Sequence, residues 1–170
     1  MEDTSATTSD RIGDGPFQGY SEEHTPLAGY AALLGIFTGV FGGLLAAGIV
    51  ADRLPRRISA GDIILLGVAT HKLTRVITKD WVTAPIRAPF VRYEESTGGG
   101  EVRESARGRG LRKAVGDLLT CPFCTGPWVA GALMAGRIAM PRATRVVAST
   151  FAVVAVSDGL HQLYDTLKKE

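Results

Sequence analysis

Hydrophobic and polar positions alternate along this chain in long blocks rather than in short amphipathic periods. The first block, Leu27 to Ala51, runs 25 residues without a charge. A bilayer core needs only about 20 helical residues, so this block predicts a membrane-spanning helix over 27–51. Within it Ala31, Gly35, Gly39, Gly43, Ala47 and Ala51 recur every four residues. A small-xxx-small stripe of this kind lets helices approach closely in lipid, so Gly35, Gly39 and Gly43 are the expected helix-packing positions.

The second block, 58–79, is less apolar. Leu66, Ala69, Leu73, Val76 and Ile77 share one helical face, and Val68, His71, Lys72, Arg75 and Lys79 share another. Such a helix either crosses the bilayer with its polar face turned inward or lies at the interface with its basic residues at the headgroups. The third block, Leu118 to Gly136, has 19 residues without a charge and is interrupted by Gly126-Pro127. It predicts a short helix, Leu111 to Thr120, a break, and a membrane helix that starts near Pro127 and ends near 140. Trp128 then falls at the depth of an aromatic belt. The fourth block, 145–164, is broken only by Asp158 and follows a tight turn at "PRAT", Pro141 to Thr144, so blocks three and four form a helical hairpin.

These elements predict an all-α, multi-pass transmembrane helical bundle over 25–170, with four spans favoured and three as the alternative. Residues 1–24 read as a disordered acidic and polar tail, with no basic region preceding an apolar one as in a signal peptide. Residues 82–113 read as a loop. Pro85 and Pro89 exclude a continuous helix there, and Ser96 to Gly100 reads as a flexible turn.

Composition sharpens this picture at three points. Hydrophobic residues are 45% of the chain and aromatics only 7%, low for a soluble core of this size, while the 21 glycines suit packed membrane helices. The net charge of +2 matters less than its placement. Arg103, Arg107, Arg109, Arg112 and Lys113 cluster in the 82–113 loop, which the positive-inside rule puts in the cytoplasm, facing anionic lipid headgroups. The C-terminus is then cytoplasmic too. Without aromatics to stack on bases, this basic run disfavours nucleic acid as a partner.

The chemistry rests on "CPFC". Cys121 and Cys124 are the two cysteines of the chain, which excludes a secreted disulfide framework. Three readings stand side by side. The thiols can simply pack at a crowded helix break. They can form half of a zinc site, completed by His71 and His161 from neighbouring helices. Or they can be redox-active, Cys121 being activated by a helix N-terminus. The packing and zinc readings expect reduced thiols on the cytoplasmic side, whereas a stable disulfide would move the motif to the outer face and favour the redox reading. Asp158 and Arg75 are the polar groups expected at membrane depth: either Asp158 pairs with Arg75 or Lys72, or it lies near the interface while the basic side chains snorkel to headgroups. No phosphate-binding glycine loop, Ser-His-Asp set or paired carboxylates occur, so hydrolase and kinase chemistry lack support.

The pattern "ATHKLTRVITKDW…PIRAPF…GRGLRKAVGDLLTCPFCTGPWVAG" resembles a family of small bacterial membrane proteins, domain of unknown function 1360, over about residues 63–160. The resemblance implies a spanning helix before "LTR", hence four spans, a helical hairpin opened by the cysteine motif, and a place in a bacterial cytoplasmic (inner) membrane. Some members carry a sporulation-related label. It implies no activity, cofactor or catalytic residues. The resulting expectation is a scaffold or partner-binding unit in a membrane assembly, with a homo-oligomer or another membrane protein as partner. The alternative is a thiol- or metal-dependent membrane oxidoreductase centred on CPFC.

Overall fold

A computed structural model describes Tyr20 and residues 25–168; the expected tail lies, Tyr20 apart, outside the described residues. Helix α1 covers Leu27–Val50 and α2 Ala60–Thr78. A 3-10 turn at Trp81–Thr83 leads into the single-turn helix α3, Ala84–Arg87. Strands β1, Val91–Gly98, and β2, Glu101–Ala106, form an antiparallel hairpin. Helix α4 is Gly110–Thr120, α5 Pro122–Ala139 and α6 Pro141–Leu167.

Helix ends follow local chemistry. Helix α1 stops in a Schellman turn: Arg53 N–H donates to the Gly48 carbonyl (3.0 Å), Asp52 N–H donates to that of Ile49 (3.1 Å), and Asp52 takes the left-handed φ of 50°. Gly48 is needed there because Leu54 packs directly on it. Ser59 caps α2, its hydroxyl accepting from Asp62 N–H at 3.0 Å.

Contacts along the helices fix their directions. Phe37 meets Trp128 (5.2 Å between ring centroids) and Phe41 lies over Gly131, so α1 and α5 run parallel. Asp62 lies by Arg137 and Lys79 by Thr120, so α2 runs antiparallel to α5. Asp62 lies by Arg145 and Lys72 by Asp158, so α2 and α6 run parallel. The four helices therefore have two common ends. One gathers the start of α1, the end of α2, the hairpin, α4 and the end of α6. The other gathers the α1–α2 connection and the α5–α6 turn.

The bundle core is Leu66, Ala69, Val129, Leu133 and Ala148, with Leu65, Leu73, Ile77, Met134 and Phe151 packed around it. Helix α2 supplies half of this set, and all of its members but Leu65 lie on the predicted apolar face. Its buried hydroxyls are satisfied locally: Thr74 donates to the His71 carbonyl and Thr78 to the Thr74 carbonyl. Helices α1 and α6 are long and apolar enough to cross a membrane, and α4 with α5 counts as a third, broken span bent by 85°. Leu34, Ile36, Leu45 and Ile49 on α1 and Val146, Val153, Val156 and Leu160 on α6 are all at least half exposed. So much contiguous apolar surface is the mark of contact with lipid or protein.

Four expectations change. The fold is mostly helical but not all-α, because 82–113 is a folded cap rather than a loop. The triglycine stretch ends β1 and makes a two-residue turn at Gly99 and Gly100, whose φ values of 60° and 80° are those that a tight hairpin turn demands. Helix α5 starts at Pro122, not near Pro127, because Cys121 serves as its N-cap. Proline 141 opens α6 instead of lying in a four-residue turn, since its fixed φ suits the first helical position.

Within the chain the glycine stripe meets no other element. A Cβ at Gly35, Gly39 or Gly43 would meet no atom within 4 Å. Helix α1 instead joins the bundle through Gly29, Phe37 and Phe41, on roughly the opposite face, two residues (about 200°) away. Gly29 lies against Ala114 and the Gly110 carbonyl of α4, and Tyr30 donates to Asp117 at 2.8 Å.

Candidate functional site

The cap is built around Arg87. Pro85 and Pro89 hold the chain in a short turn that drives this side chain inward, where it is 1% exposed. It donates to Glu104 (2.5 Å), to Thr83 Oγ1 (2.5 Å) and to the carbonyls of Ile77 (2.8 Å) and Asp80 (3.1 Å). The guanidinium thereby ties the end of α2 to β2. The hairpin is sewn on further by Val102 N–H donating to the Lys79 carbonyl and Trp81 N–H to that of Gly100. Gly116 brings α4 against its base, where a Cβ would lie 2.5 Å from the Phe90 carbonyl oxygen. No role was predicted for Arg87; its signal is an arginine between two prolines in an apolar stretch.

Between this cap, α2 and α6 opens a polar cleft of about 850 Å³. His71, Lys72 and Arg75 come from α2, Asp80 and Trp81 from its end, Glu101 from β2, and Asp158 and Gln162 from α6. Lys72 pairs with Asp158 at 2.8 Å and lies 4.0 Å from Asp80, while Arg75 grips Glu101 through two 2.6 Å contacts. The polar face of α2 therefore turns inward on partners from α6 and the hairpin.

On the outer side of the cap, Trp81 and Tyr93 stack with centroids 5.2 Å apart, and both are about half exposed. They rim an apolar hollow of about 320 Å³ with Pro85, Ala88 and Val91. Strand β1 pairs on one side only: β2 covers its inner edge, and among the described residues its outer edge has no backbone partner. Seven of its eight residues are exposed.

The cysteines lie at the corner between α4 and α5 and are bonded to each other in a disulfide. This corrects the expectation of reduced thiols. Cys124 is exposed, Cys121 is partly covered, and Cys121 Sγ accepts from Cys124 N–H at 3.1 Å. Phe123, between them, is 92% exposed. Among the described residues no three His, Cys, Asp or Glu side chains converge as a metal site. His71 belongs to the cleft, His161 is exposed on α6 outside it, and the sulfurs are used by one another.

Of the basic residues expected at headgroups, Arg103 pairs with Glu95, Lys113 with Asp117, and Arg107 and Arg112 both donate to the Pro89 carbonyl. They brace the cap.

Comparison with known proteins fits this picture. The model of the family described as "Protein of unknown function (DUF1360)" matches residues 65–164, from the middle of α2 through the cap to α6, leaving α1 outside. Sporulation protein YjcA of Bacillus subtilis (strain 168) is 32% identical over 113 residues, covering 65% of this chain and 92% of that protein. No solved structure matches. With the matched region running through cleft, hairpin and cysteine corner alike, the chain belongs to the DUF1360 family.

Proposed function

We propose that this protein is a four-span membrane protein whose hairpin cap docks an extended segment of a membrane partner along β1. The carrying observation is the unpaired, exposed outer edge of β1 beside the Trp81–Tyr93 hollow. Strand addition would supply main-chain hydrogen bonds, and the hollow would take one apolar side chain of the incoming segment. Arg92, Glu94 and Glu95 on β1 discourage indiscriminate edge pairing. By its relation to YjcA, the assembly served is one used in sporulation.

Support for four spans comes from the side-by-side course of α2 with α5 and α6, and from Ile63 and Ile64 of α2, both more than 60% exposed. The hairpin end faces the outer, oxidising side of a bacterial cytoplasmic membrane. Two observations favour this orientation over the cytoplasmic one that the basic count of 82–113 suggests. A disulfide persists in an oxidising compartment. The first helix is preceded by an acidic stretch and followed by Arg53, Arg56 and Arg57, and the first helix usually dominates orientation.

The test is a photo-crosslinking amino acid at position 94 in living cells. A discrete protein adduct that Tyr93→Ala abolishes supports the reading; adducts to lipid alone overturn it.

A second reading rests on the exposed Cys124 of the disulfide. A partner dithiol would reduce Cys121–Cys124 through a mixed disulfide and leave as a disulfide, two electrons and two protons passing to this pair. A Cys121→Ser variant, which keeps the exposed Cys124, that traps no mixed disulfide in cells would discard it.

A further inference from the structure

The opposite end of the bundle carries six arginines in its two connections and the adjoining helix ends: Arg53, Arg56, Arg57, Arg137, Arg142 and Arg145. Against them stand two carboxylates, Asp52 and Asp62. Asp62 is shared, lying 3.4 Å from Arg137 and 3.9 Å from Arg145. Arg142 has no carboxylate within 4 Å among the described residues, and the Arg145 side chain is 67% exposed. This end therefore keeps uncompensated positive charge, unlike the cap, where Arg87, Arg103 and Lys113 pair with carboxylates and Arg107 and Arg112 donate to the Pro89 carbonyl.

Directly below Arg142 and Arg145 an apolar groove runs along the outer face of α6, lined by Val146, Ser149, Thr150, Val153 and Val154. The Thr150 hydroxyl is turned back onto the Val146 carbonyl, so it offers the groove little polarity. From Arg142 to Val153 the groove extends about 16 Å along the helix, most of an acyl chain's length within one leaflet. We propose that this groove is a binding site for one anionic phospholipid, with its phosphate at Arg142 and Arg145 and an acyl chain lying on Val146 and Val153.

Charge and geometry select this occupant. A soluble anion would use the arginines but has nothing to place on the valines. A zwitterionic lipid would fill the groove but brings no net charge to the guanidiniums. A second copy of the chain, inserted with the same orientation, would set Arg142 and Arg145 at the same depth as their own counterparts, and like charges across an interface repel. The site is independent of the docking edge on the cap, which lies at the other end of the molecule.

The experiment is native mass spectrometry on delipidated protein in detergent, titrated separately with phosphatidylglycerol, phosphatidylcholine and glycerol phosphate. One phosphatidylglycerol should bind, phosphatidylcholine should bind at least tenfold more weakly, and glycerol phosphate alone should not bind. Arg142→Gln/Arg145→Gln should weaken phosphatidylglycerol binding about thirtyfold, at about fivefold per arginine near a charged surface. Val153→Trp, which fills the groove and leaves the arginines in place, should also release the lipid. Arg142→Lys/Arg145→Lys should retain it, which separates loss of charge from loss of fold. Equal affinity for phosphatidylcholine, unchanged binding in the glutamine variant, or binding of glycerol phosphate unaffected by Val153→Trp would each overturn the site.

Discussion

Arg87 and Glu104 meet at 2.5 Å with side chains 1% and 5% exposed, an ion pair closed off from water at the junction of α2 and the hairpin. Removing one partner strands a buried charge, which typically costs about 3–5 kcal/mol. Glu104→Gln and Arg87→Met should each lower the midpoint of thermal unfolding in detergent. Arg87→Met/Glu104→Leu should recover part of the Glu104 loss but not all, because the carbonyls of Ile77 and Asp80 also lose their donor. If the double variant is worse than the sum of the two, the pair is not the organising contact of the cap.

Two glycines that look alike in the sequence should behave in opposite ways. A Cβ at Gly131 would lie 2.6 Å from the Phe41 ring, which is itself held by Phe37 and Trp128. Gly131→Leu should destabilise the α1–α5 contact by at least the roughly 1–3 kcal/mol of an overpacked core. Gly39→Leu meets nothing within 4 Å and should leave thermal stability of the monomer unchanged or slightly raised. A drop in the cross-linked oligomer of Gly39→Leu, at constant monomer stability, would show that the open stripe joins copies.

The proposed four-span orientation puts the hairpin and the end of α6 on one side of the membrane. Reporter enzymes inserted at Gly99 and fused after Glu170 should give the same answer, outside, and a fusion ending at Pro55 should report cytoplasm. Agreement between the Pro55 and Gly99 reporters would rule out α2 as a span. In intact cells Cys124 should resist a membrane-impermeant maleimide until reductant is added; immediate labelling would mean the pair is reduced.

The hairpin turn should be sensitive out of proportion to its exposure. Gly99 and Gly100 both sit in the left-handed region, where an L side chain costs roughly 1–2 kcal/mol. Gly99→Val/Gly100→Val should speed amide hydrogen exchange at Val102 and Arg103. Protection equal to the parent protein would indicate that the junction with α2, not the turn, holds the strands in register.

What could be read in advance was governed by length and by solvent. The long blocks gave α1, expected over 27–51, within one residue of Leu27–Val50, and α2, expected over 58–79, within two of Ala60–Thr78, because unbroken apolar length is itself the signal. The hairpin went unread because its strands, "VRYEESTG" and "EVRESA", are charged where a buried strand would be apolar. They gain stability from Val91, Val102 and the Arg87 network rather than from a sheet face of their own. The two-glycine turn was visible but was taken for flexibility. The α1 stripe marks a smooth face, but periodicity does not say what meets it. Phe37 and Phe41, two positions off that stripe, were the better guide.

The 85° corner at Cys121 has a consequence for the lipid around the protein. With α4 turned aside, α5 alone provides the upright stretch, and its 18 residues reach about 27 Å. The 24 residues of α1 reach about 36 Å on the neighbouring flank. If α1 and α5 both span as proposed, a bilayer whose hydrocarbon thickness suits one helix mismatches the other, so α1 would lean or the membrane would pinch beside α5. The molecule would then be sorted by membrane thickness, favouring thin or curved regions where that pinch already exists.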